Sequence, residues 1–347
     1  MQYRPLGRTG IKVSVVAFGA GPVPALLTAG DDTQQVGVVR RAIERGINWF
    51  DTAATYGGGQ SEKSLGAALA AVGAPDDVRI ATKVRLVDDQ VERIGESVKA
   101  SVTASLKRLG RERVALLQLH NSVTVRQGDQ PTSLTPAHVL APGGVLEAMH
   151  DLKREGLVEH LGLTGLGDPQ ALGELVDTGQ FATVQIPYNL VNPSAGEDVG
   201  GGFAETNYGN LIARCARQGM GVFAIRVLAG GALVEREPSP YTLTTKFFPL
   251  DLYERDRQRA AVLRQVLDGE RQSADESMAG TAVRYALSHT QVTSAIVGFS
   301  DTEQVDEIVA AADRGPLEPD LLARLRNALL QQMRDARQAA VPAKDVQ

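Results

Sequence analysis

Four polar residues in the first third of the chain combine the side-chain types that proton transfer needs: Asp51, Tyr56, Lys83 and His120. A tyrosine hydroxyl titrates near pH ~10, too high for an efficient acid at neutral pH unless a neighbouring cation favours the phenolate. Lys83 can be that cation, and a carboxylate at Asp51 would keep the lysine charged. His120 can donate a hydrogen bond to a substrate oxygen. The set suits proton transfer to or from a carbonyl or alcohol oxygen, and a second agent must reduce or oxidise the carbon.

The segments around these residues explain how they could meet. Short apolar strands are predicted at 47–51, 79–83 and 114–119, so Asp51, Lys83 and His120 lie at or directly after strand ends. Tyr56 follows in a glycine-rich loop, before a helix that we expect to begin at a capping Ser61. The carboxyl ends of parallel strands surround one ligand-binding face. We therefore expect the four side chains to converge there.

The whole chain alternates between short apolar strands and amphipathic helices. Eight strand-then-helix units predict an α/β fold, a closed (β/α)8 TIM barrel, with an N-terminal β-hairpin at 2–12 and an extra C-terminal helix at 319–337. Residues 1–340 are expected to form a single domain and 341–347 a loose tail. The strands are predicted at 13–19, 47–51, 79–83, 114–119, 160–163, 183–186, 221–225 and 294–297.

An open doubly wound sheet is the closest alternative fold. Its glycine-rich phosphate fingerprint should follow the first strand and open a helix. Residues 19–24 read Gly-Ala-Gly-Pro-Val-Pro, with a proline where that helix should begin. This segment argues against the open sheet.

Composition excludes several classes of partner. The net charge of -5 comes from 36 basic and 41 acidic residues without a basic block, so neither nucleic acid nor an anionic membrane is an expected partner. The single cysteine, Cys215, excludes an internal disulfide framework and fits a reducing compartment. No signal-like start, membrane-spanning run or metal-ligand spacing is found. These features predict a cytoplasmic protein without a metal.

Short motifs in order along the chain point to one family. They are Leu6-Gly7-x-Thr9-Gly10, Gly46-Ile47-Asn48-x-Phe50-Asp51-Thr52-Ala53 with Tyr56-Gly57, Ala81-Thr82-Lys83, Leu119-His120, Gly298-Phe299-Ser300 and Glu303-Gln304-Val305. With these motifs the chain resembles, over essentially its whole length, the aldo-keto reductases, NAD(P)H-dependent oxidoreductases built on a (β/α)8 barrel. The resemblance implies that Tyr56 is the acid/base, that Lys83 lowers its pKa, that Asp51 holds Lys83 and that His120 places the carbonyl. Hydride would come from the nicotinamide at the barrel mouth.

The resemblance also implies contacts to the cofactor. Thr164 and Gln185 would hold the carboxamide and Tyr188 would stack on its ring, while the glycines after strand seven could let backbone approach the pyrophosphate. The implied contacts are Thr164, Gln185, Tyr188, Arg226, Leu228, Gly230, Gly298, Ser300, Gln304 and Glu307.

The identity of the cofactor depends on Ser300. The family normally has an arginine or lysine there, and a doubly charged 2′-phosphate is best held by such a cation. The cofactor is therefore NADP(H), as the family implies, or NAD(H), as the serine allows. The substrate would be a small carbonyl compound or sugar, because runs 162–166 and 296–298 look most like the branch that contains galactose and threo-aldose dehydrogenases.

Two other functions remain compatible with these residues. Lys83 could be the Schiff-base lysine of a barrel aldolase, which borohydride would trap as an adduct. A barrel of this family could also bind a nucleotide as a regulatory or channel-associated subunit without turnover. The complete set of four polar residues argues against both.

Overall fold

The structure is a computed structural model, and it describes residues 1–199, 203, 205–268 and 277–340. The strands are β1 Tyr3–Pro5, β2 Lys12–Ser14, β3 Val16–Gly19, β4 Trp49–Asp51, β5 Arg79–Val84, β6 Val114–Leu119, β7 Val158–Thr164, β8 Thr183–Pro187, β9 Gly221–Ile225 and β10 Ser294–Val297. The α-helices are α1 Leu26–Ala29, α2 Asp32–Glu44, α3 Gln60–Ala71, α4 Ile94–Leu109, α5 Pro136–Leu140, α6 Val145–Arg154, α7 Pro169–Asp177, α8 Leu211–Arg217, α9 Pro240–Thr244, α10 Leu250–Asp268, α11 Met278–Ser288, α12 Thr302–Asp313 and α13 Pro319–Ala340. Short 3-10 segments lie at Tyr56–Gly59, Asp88–Arg93 and Ala229–Val234.

Strands β3 to β10 are parallel and close into a barrel in the order β10-β3-β4-β5-β6-β7-β8-β9. The predicted (β/α)8 barrel is thus confirmed, together with its hairpin and its C-terminal helix. Strand β6 is buried at every position, because the barrel interior covers one face and the surrounding helices cover the other. The helices supply matching apolar stripes: α4 buries residues spaced by three and four, namely Val98, Val102, Leu106 and Leu109.

The hairpin closes the amino-terminal end of the barrel. Leu6, in the turn between β1 and β2, is fully buried and belongs to a cluster with Trp49 and Phe223, whose rings stack at 5.1 Å. A Cβ at Gly221 would lie 2.4 Å from Cδ1 of Leu6, so glycine is required at this contact. With this end filled, the part of the chain that the structure describes leaves the carboxyl end of the strands for a ligand to enter.

The first strand differs from its prediction. Residues 13–19 were expected to form one strand, but Lys12–Ser14 pairs with β1, whereas Val16–Gly19 pairs with β4 and β10. The backbone N–H of Val15 donates to the carbonyl of Gln2, which turns the chain between the two sheets. A nearly continuous apolar run does not show that its two halves belong to different sheets.

Several loops contain helices that were not predicted. The 121–142 loop contains α5, and the 226–250 connection contains the 3-10 segment Ala229–Val234 and α9. The tail predicted at 341–347 lies outside the described part of the chain, as do residues 200–202, 204 and 269–276. In the described residues, every helix is too short or too polar to cross a membrane.

Candidate active site

The four polar residues singled out from the sequence meet at the carboxyl end of the barrel. Asp51 is the last residue of β4, Lys83 lies near the end of β5 and His120 directly follows β6. Tyr56 begins the 3-10 segment after β4. Asp51, Lys83 and His120 are 3%, 1% and 7% exposed, so their charges interact with little screening by water.

Lys83 is the centre of the group. Its Nζ donates to Oδ2 of Asp51 at 2.5 Å, to the carbonyl of Thr52 at 2.9 Å and to the hydroxyl oxygen of Tyr56 at 3.2 Å. An ammonium has three donors, and these contacts use all of them. The second carboxylate oxygen of Asp51 accepts from Nε2 of Gln185 on β8. The lysine is therefore held against the tyrosine oxygen.

These contacts set the pKa of Lys83 and of Tyr56. Burial acts to lower the pKa of Lys83, but the charges of Asp51 and Tyr56 outweigh it, and the net pKa is raised. Burial raises the pKa of Tyr56 above its ordinary value, with Lys83 acting to lower it and Asp51 to raise it. The family resemblance implied a lowered tyrosine pKa; here Lys83 lowers it only relative to what burial alone would give. The hydroxyl is consequently protonated at neutral pH.

His120 faces the same tyrosine. Its ring meets the ring of Tyr56 edge-on, with centroids 5.6 Å apart, and its Nδ1 lies 3.4 Å from Oγ1 of Thr55. Burial, followed by the charges of Arg85 and Lys83, lowers the pKa of His120 well below the ordinary 6.5. The imidazole is therefore neutral near pH 7 and can orient a carbonyl oxygen without carrying a charge.

The loop that carries Tyr56 turns through glycines. Gly57, Gly58 and Gly59 have φ of +58°, +61° and +93°, a region that disfavours any side chain. Helix α3 then begins at Gln60, with Gly59 as its N-cap. The expectation that Ser61 caps this helix is wrong, because its hydroxyl donates instead to the carbonyl of Ala20 at 2.7 Å. That bond ties α3 to the residue that follows β3.

A cavity of about 1240 Å³ opens above this group, and Asp51, Tyr56 and His120 line it. Its volume exceeds the roughly 300–1,000 Å³ of ordinary ligand pockets. Lys83 is buried beneath the lining residues, where it contacts Tyr56. The cavity is large enough to hold two small molecules side by side, with the tyrosine hydroxyl at its base.

Most of the predicted cofactor contacts line the cavity. The buried Oγ1 of Thr164 has no hydrogen-bond partner among the described residues, which marks it as a group able to bind a polar ligand. Gly298 approaches the 23–24 segment so closely that a Cβ would lie 2.6 Å from the carbonyl of Val23. The predicted contacts found in the lining are Thr164, Gln185, Arg226, Leu228, Gly230, Gly298, Gln304 and Glu307.

Tyr188 does not lie where the resemblance implied. Its ring stacks on Tyr285 of α11 with centroids 5.3 Å apart, and the edge of His289 contacts it at 5.5 Å. Only 6% of Tyr188 is exposed, and it is not among the cavity-lining residues. The contact with Tyr285 of α11 holds the ring in the core.

Ser300 lies at the rim rather than in the lining, and it has a cation beside it. Nη1 of Arg236, from the segment after the 3-10 turn Ala229–Val234, donates to Oγ of Ser300 at 3.2 Å. Arg236 itself lines the cavity. No local sequence pattern indicates this contact, because the two residues are 64 positions apart. A positive charge is thus present where the serine alone suggested none.

Comparison with known proteins agrees with the geometry. The profile of the aldo/keto reductase family matches residues 16–329. The chain is 30% identical over 312 residues to L-galactose dehydrogenase of Arabidopsis thaliana, covering 90% of this chain and 88% of that protein. It is 25% identical to D-threo-aldose 1-dehydrogenase of a Pseudomonas species, covering 86% and 89% of the two chains.

Solved structures show the same fold. The holo form of an aldo-keto reductase from Bacillus halodurans superposes with a TM-score of 0.67 at 23% identity, covering 95% of this chain and 96% of that one. The family profile extends over nearly the entire barrel, including the strand ends that carry Asp51, Lys83 and His120. The chain belongs to the aldo/keto reductase family.

Proposed function

We propose that this protein is an NAD(P)(H)-dependent oxidoreductase that transfers hydride between nicotinamide and the carbonyl or alcohol carbon of an aldehyde, ketone or sugar. The observation that carries the proposal is the position of Nζ of Lys83, 2.5 Å from Asp51 and 3.2 Å from the hydroxyl of Tyr56. The relatives named L-galactose dehydrogenase and D-threo-aldose 1-dehydrogenase support a sugar or a related small carbonyl compound as substrate.

In this proposal Tyr56 exchanges the proton. Because burial raises its pKa, the hydroxyl is available as a donor to a carbonyl oxygen at neutral pH. The Lys83 ammonium stabilises the phenolate that remains after proton transfer, and Asp51 keeps the lysine charged. Neutral His120 holds the substrate oxygen in line with the tyrosine hydroxyl. In the oxidative direction Tyr56 takes the proton back.

The cavity also suits a nicotinamide cofactor. Thr164 has an unpartnered buried hydroxyl, and Gln185 lies beside it in the lining, so these two are suited to a carboxamide. Leu228, Gly230, Gly298, Gln304 and Glu307 are the further residues proposed to hold it, in the lining. When bound there, the reduced cofactor supplies the hydride that the side chains of this site lack.

We further propose that the preferred form is NADP(H). A guanidinium is well suited to a phosphate, because it offers several N–H donors in one plane. Arg236 brings such a group to Ser300, at the position where the family normally has its own cation. NAD(H) is favoured only if Arg236 contributes nothing to binding.

The first test is turnover with purified full-length protein. Oxidation of NADPH and NADH is followed by absorbance with a panel of aldehydes, ketones and aldoses, and the reverse reaction is followed with the corresponding alcohols. The proposal expects turnover that depends on the nicotinamide. Cofactor binding without any turnover would favour the regulatory barrel, and a borohydride-trapped adduct at Lys83 would favour the aldolase.

A further inference from the structure

Arg85 is a charged residue at the site to which neither the family motifs nor the four polar residues assign a role. It follows Lys83 by two positions, directly after β5, and it lines the same cavity as Tyr56 and His120. Its Nη2 lies 3.5 Å from the carbonyl oxygen of His120. The guanidinium carbon lies 4.6 Å from the centre of the Phe247 ring, which covers one face of the group. A stacked guanidinium keeps its N–H donors free at its edge.

Among the residues that the structure describes, none neutralises the charge of Arg85. No carboxylate from the described part of the chain forms an ion pair with it, and the titratable groups that face it are the hydroxyls of Tyr56 and Tyr241 and the neutral imidazole of His120. Its Nε is buried and has no hydrogen-bond partner within the described ranges of the chain. A partly buried cation without a counterion is costly, so a site that keeps one is suited to receive an anion.

The position of Arg85 favours an anion on the substrate rather than on the cofactor. The proposed contacts at Leu228 and Gly230 follow β9, and β9 lies four strands from β5 around the eight-stranded barrel, which is diametrically opposite. Arg236 and Ser300 lie on the side of β9 and β10. Arg85 instead adjoins His120, the residue that would place the reacting oxygen.

We propose that Arg85 binds a carboxylate carried by the substrate, so that the enzyme acts on carbonyl compounds that are also monoanions, such as oxo acids and uronic acids. This inference rests on the proposed function, because it names the substrate class of the same site. A guanidinium and a carboxylate form two parallel hydrogen bonds. One guanidinium balances one carboxylate charge, whereas a phosphate dianion would leave a second charge without a partner. Arg85 is thus a specificity-determining residue.

The test compares matched acids and esters. Values of kcat/KM are measured for 4-oxobutanoate, 5-oxopentanoate and 6-oxohexanoate and for the methyl ester of each, which has the same chain without the charge. The wild type should prefer the best acid to its ester. The acid-to-ester ratio should fall about 10- to 100-fold in Arg85→Gln, because a hydrogen bond to a charged group is lost. Arg85→Lys keeps the charge but cannot form the two parallel hydrogen bonds of a guanidinium. It should retain part of the preference for the acid over its ester.

Arg236→Gln is the matched control, because it removes the same charge from the same cavity at the opposite side. It should leave the acid-to-ester ratio unchanged. This result would show that the preference comes from a direct contact with Arg85 and not from the overall positive potential of the cavity. A ratio unaffected by Arg85→Gln would overturn the proposal. A wild-type preference for glyceraldehyde 3-phosphate over the oxo acids would overturn the proposal that Arg85 binds a carboxylate. It would show that Arg85 binds a phosphate instead.

A binding measurement separates this proposal from the proposed function. Succinate, which carries a carboxylate but no reducible carbonyl, is titrated by calorimetry into the wild type and into Arg85→Gln. Succinate binding that the substitution abolishes, with no turnover of any carbonyl compound, would refute the oxidoreductase and support the anion site. Turnover of acids and esters alike, with no succinate binding, would refute the anion site alone.

Discussion

Nζ of Lys83 lies 2.5 Å from Oδ2 of Asp51 and is buried with it, so the two charges depend on each other. Lys83→Met leaves the carboxylate in the interior without its cation. We expect a loss of about 3–5 kcal/mol in the free energy of unfolding, the cost of breaking a buried ion pair. Urea denaturation of the variant measures it.

The matched control is the double variant Asp51→Asn with Lys83→Met, which leaves no buried charge. It should be more stable than Lys83→Met alone. Equal stability of the two variants would mean that the ion pair does not hold the site together. Both variants should lose turnover, because the ammonium no longer faces Tyr56.

Tyr56 determines how the two directions of reaction depend on pH. Its raised pKa keeps the hydroxyl protonated, so kcat/KM for reduction of a neutral aldehyde should be constant between about pH 6 and 9. Oxidation of the alcohol needs the phenolate, and its kcat/KM should rise with pH over the same range. A reduction profile that falls with a midpoint near pH 7 would point to a different acid.

His120 makes stability depend on pH. Its pKa is held well below 6.5 in the folded protein, first by burial and then by Arg85 and Lys83. Below pH 6.5 the unfolded chain therefore binds one more proton at His120 than the folded protein does. The stability that neutral His120 contributes is complete above that pH and is lost as pH falls. The expected slope is about 1.4 kcal/mol per pH unit for one proton.

Comparison with His120→Gln isolates this effect. Urea unfolding at several pH values from 5 to 7 should show a shallower dependence in the variant, because the remaining histidines contribute equally to both proteins. Identical slopes would show that His120 takes up a proton as readily in the folded protein as in the unfolded chain.

Arg236 should determine the preference for NADPH over NADH. Replacing it with Gln removes the guanidinium beside Ser300 and should weaken NADPH binding about 10-fold or more, as expected for a lost hydrogen bond to a charged group. NADH, which has no 2′-phosphate, should bind as before. Dissociation constants from nicotinamide fluorescence test this, and equal weakening of both cofactors would contradict it.

The sequence was sufficient for the barrel and for the meeting of its strand ends. Apolar strands that alternate with amphipathic helices leave few architectures, and a barrel brings Asp51, Lys83 and His120 to one face whatever their separation in the chain. The position of the Tyr188 ring could not be predicted from the sequence, because an aromatic residue after a strand can face either the cavity or a neighbouring helix. In this protein the ring stacks on Tyr285 of α11.

Contacts between distant loops could not be predicted from the sequence either. Arg236 reaches Ser300 through an irregular segment whose path no local pattern encodes. The sequence shows Arg85 as a residue after a strand, but its contact with Phe247 depends on the folded path of the segment before α10. The Ser61 hydroxyl donates to the carbonyl of Ala20, a tertiary contact that the local capping pattern does not predict.

The most direct test of the central claim is Tyr56→Phe. Outside its bond with Lys83, the hydroxyl has no hydrogen-bond partner among the described residues, so the variant should fold and should bind NADPH with nearly the wild-type affinity. Its kcat for an aldehyde that the wild type reduces should fall about 10²- to 10⁴-fold, the usual contribution of a positioned acid. Turnover at more than a few per cent of the wild-type rate, with cofactor binding intact, would contradict the role of Tyr56 as the proton donor.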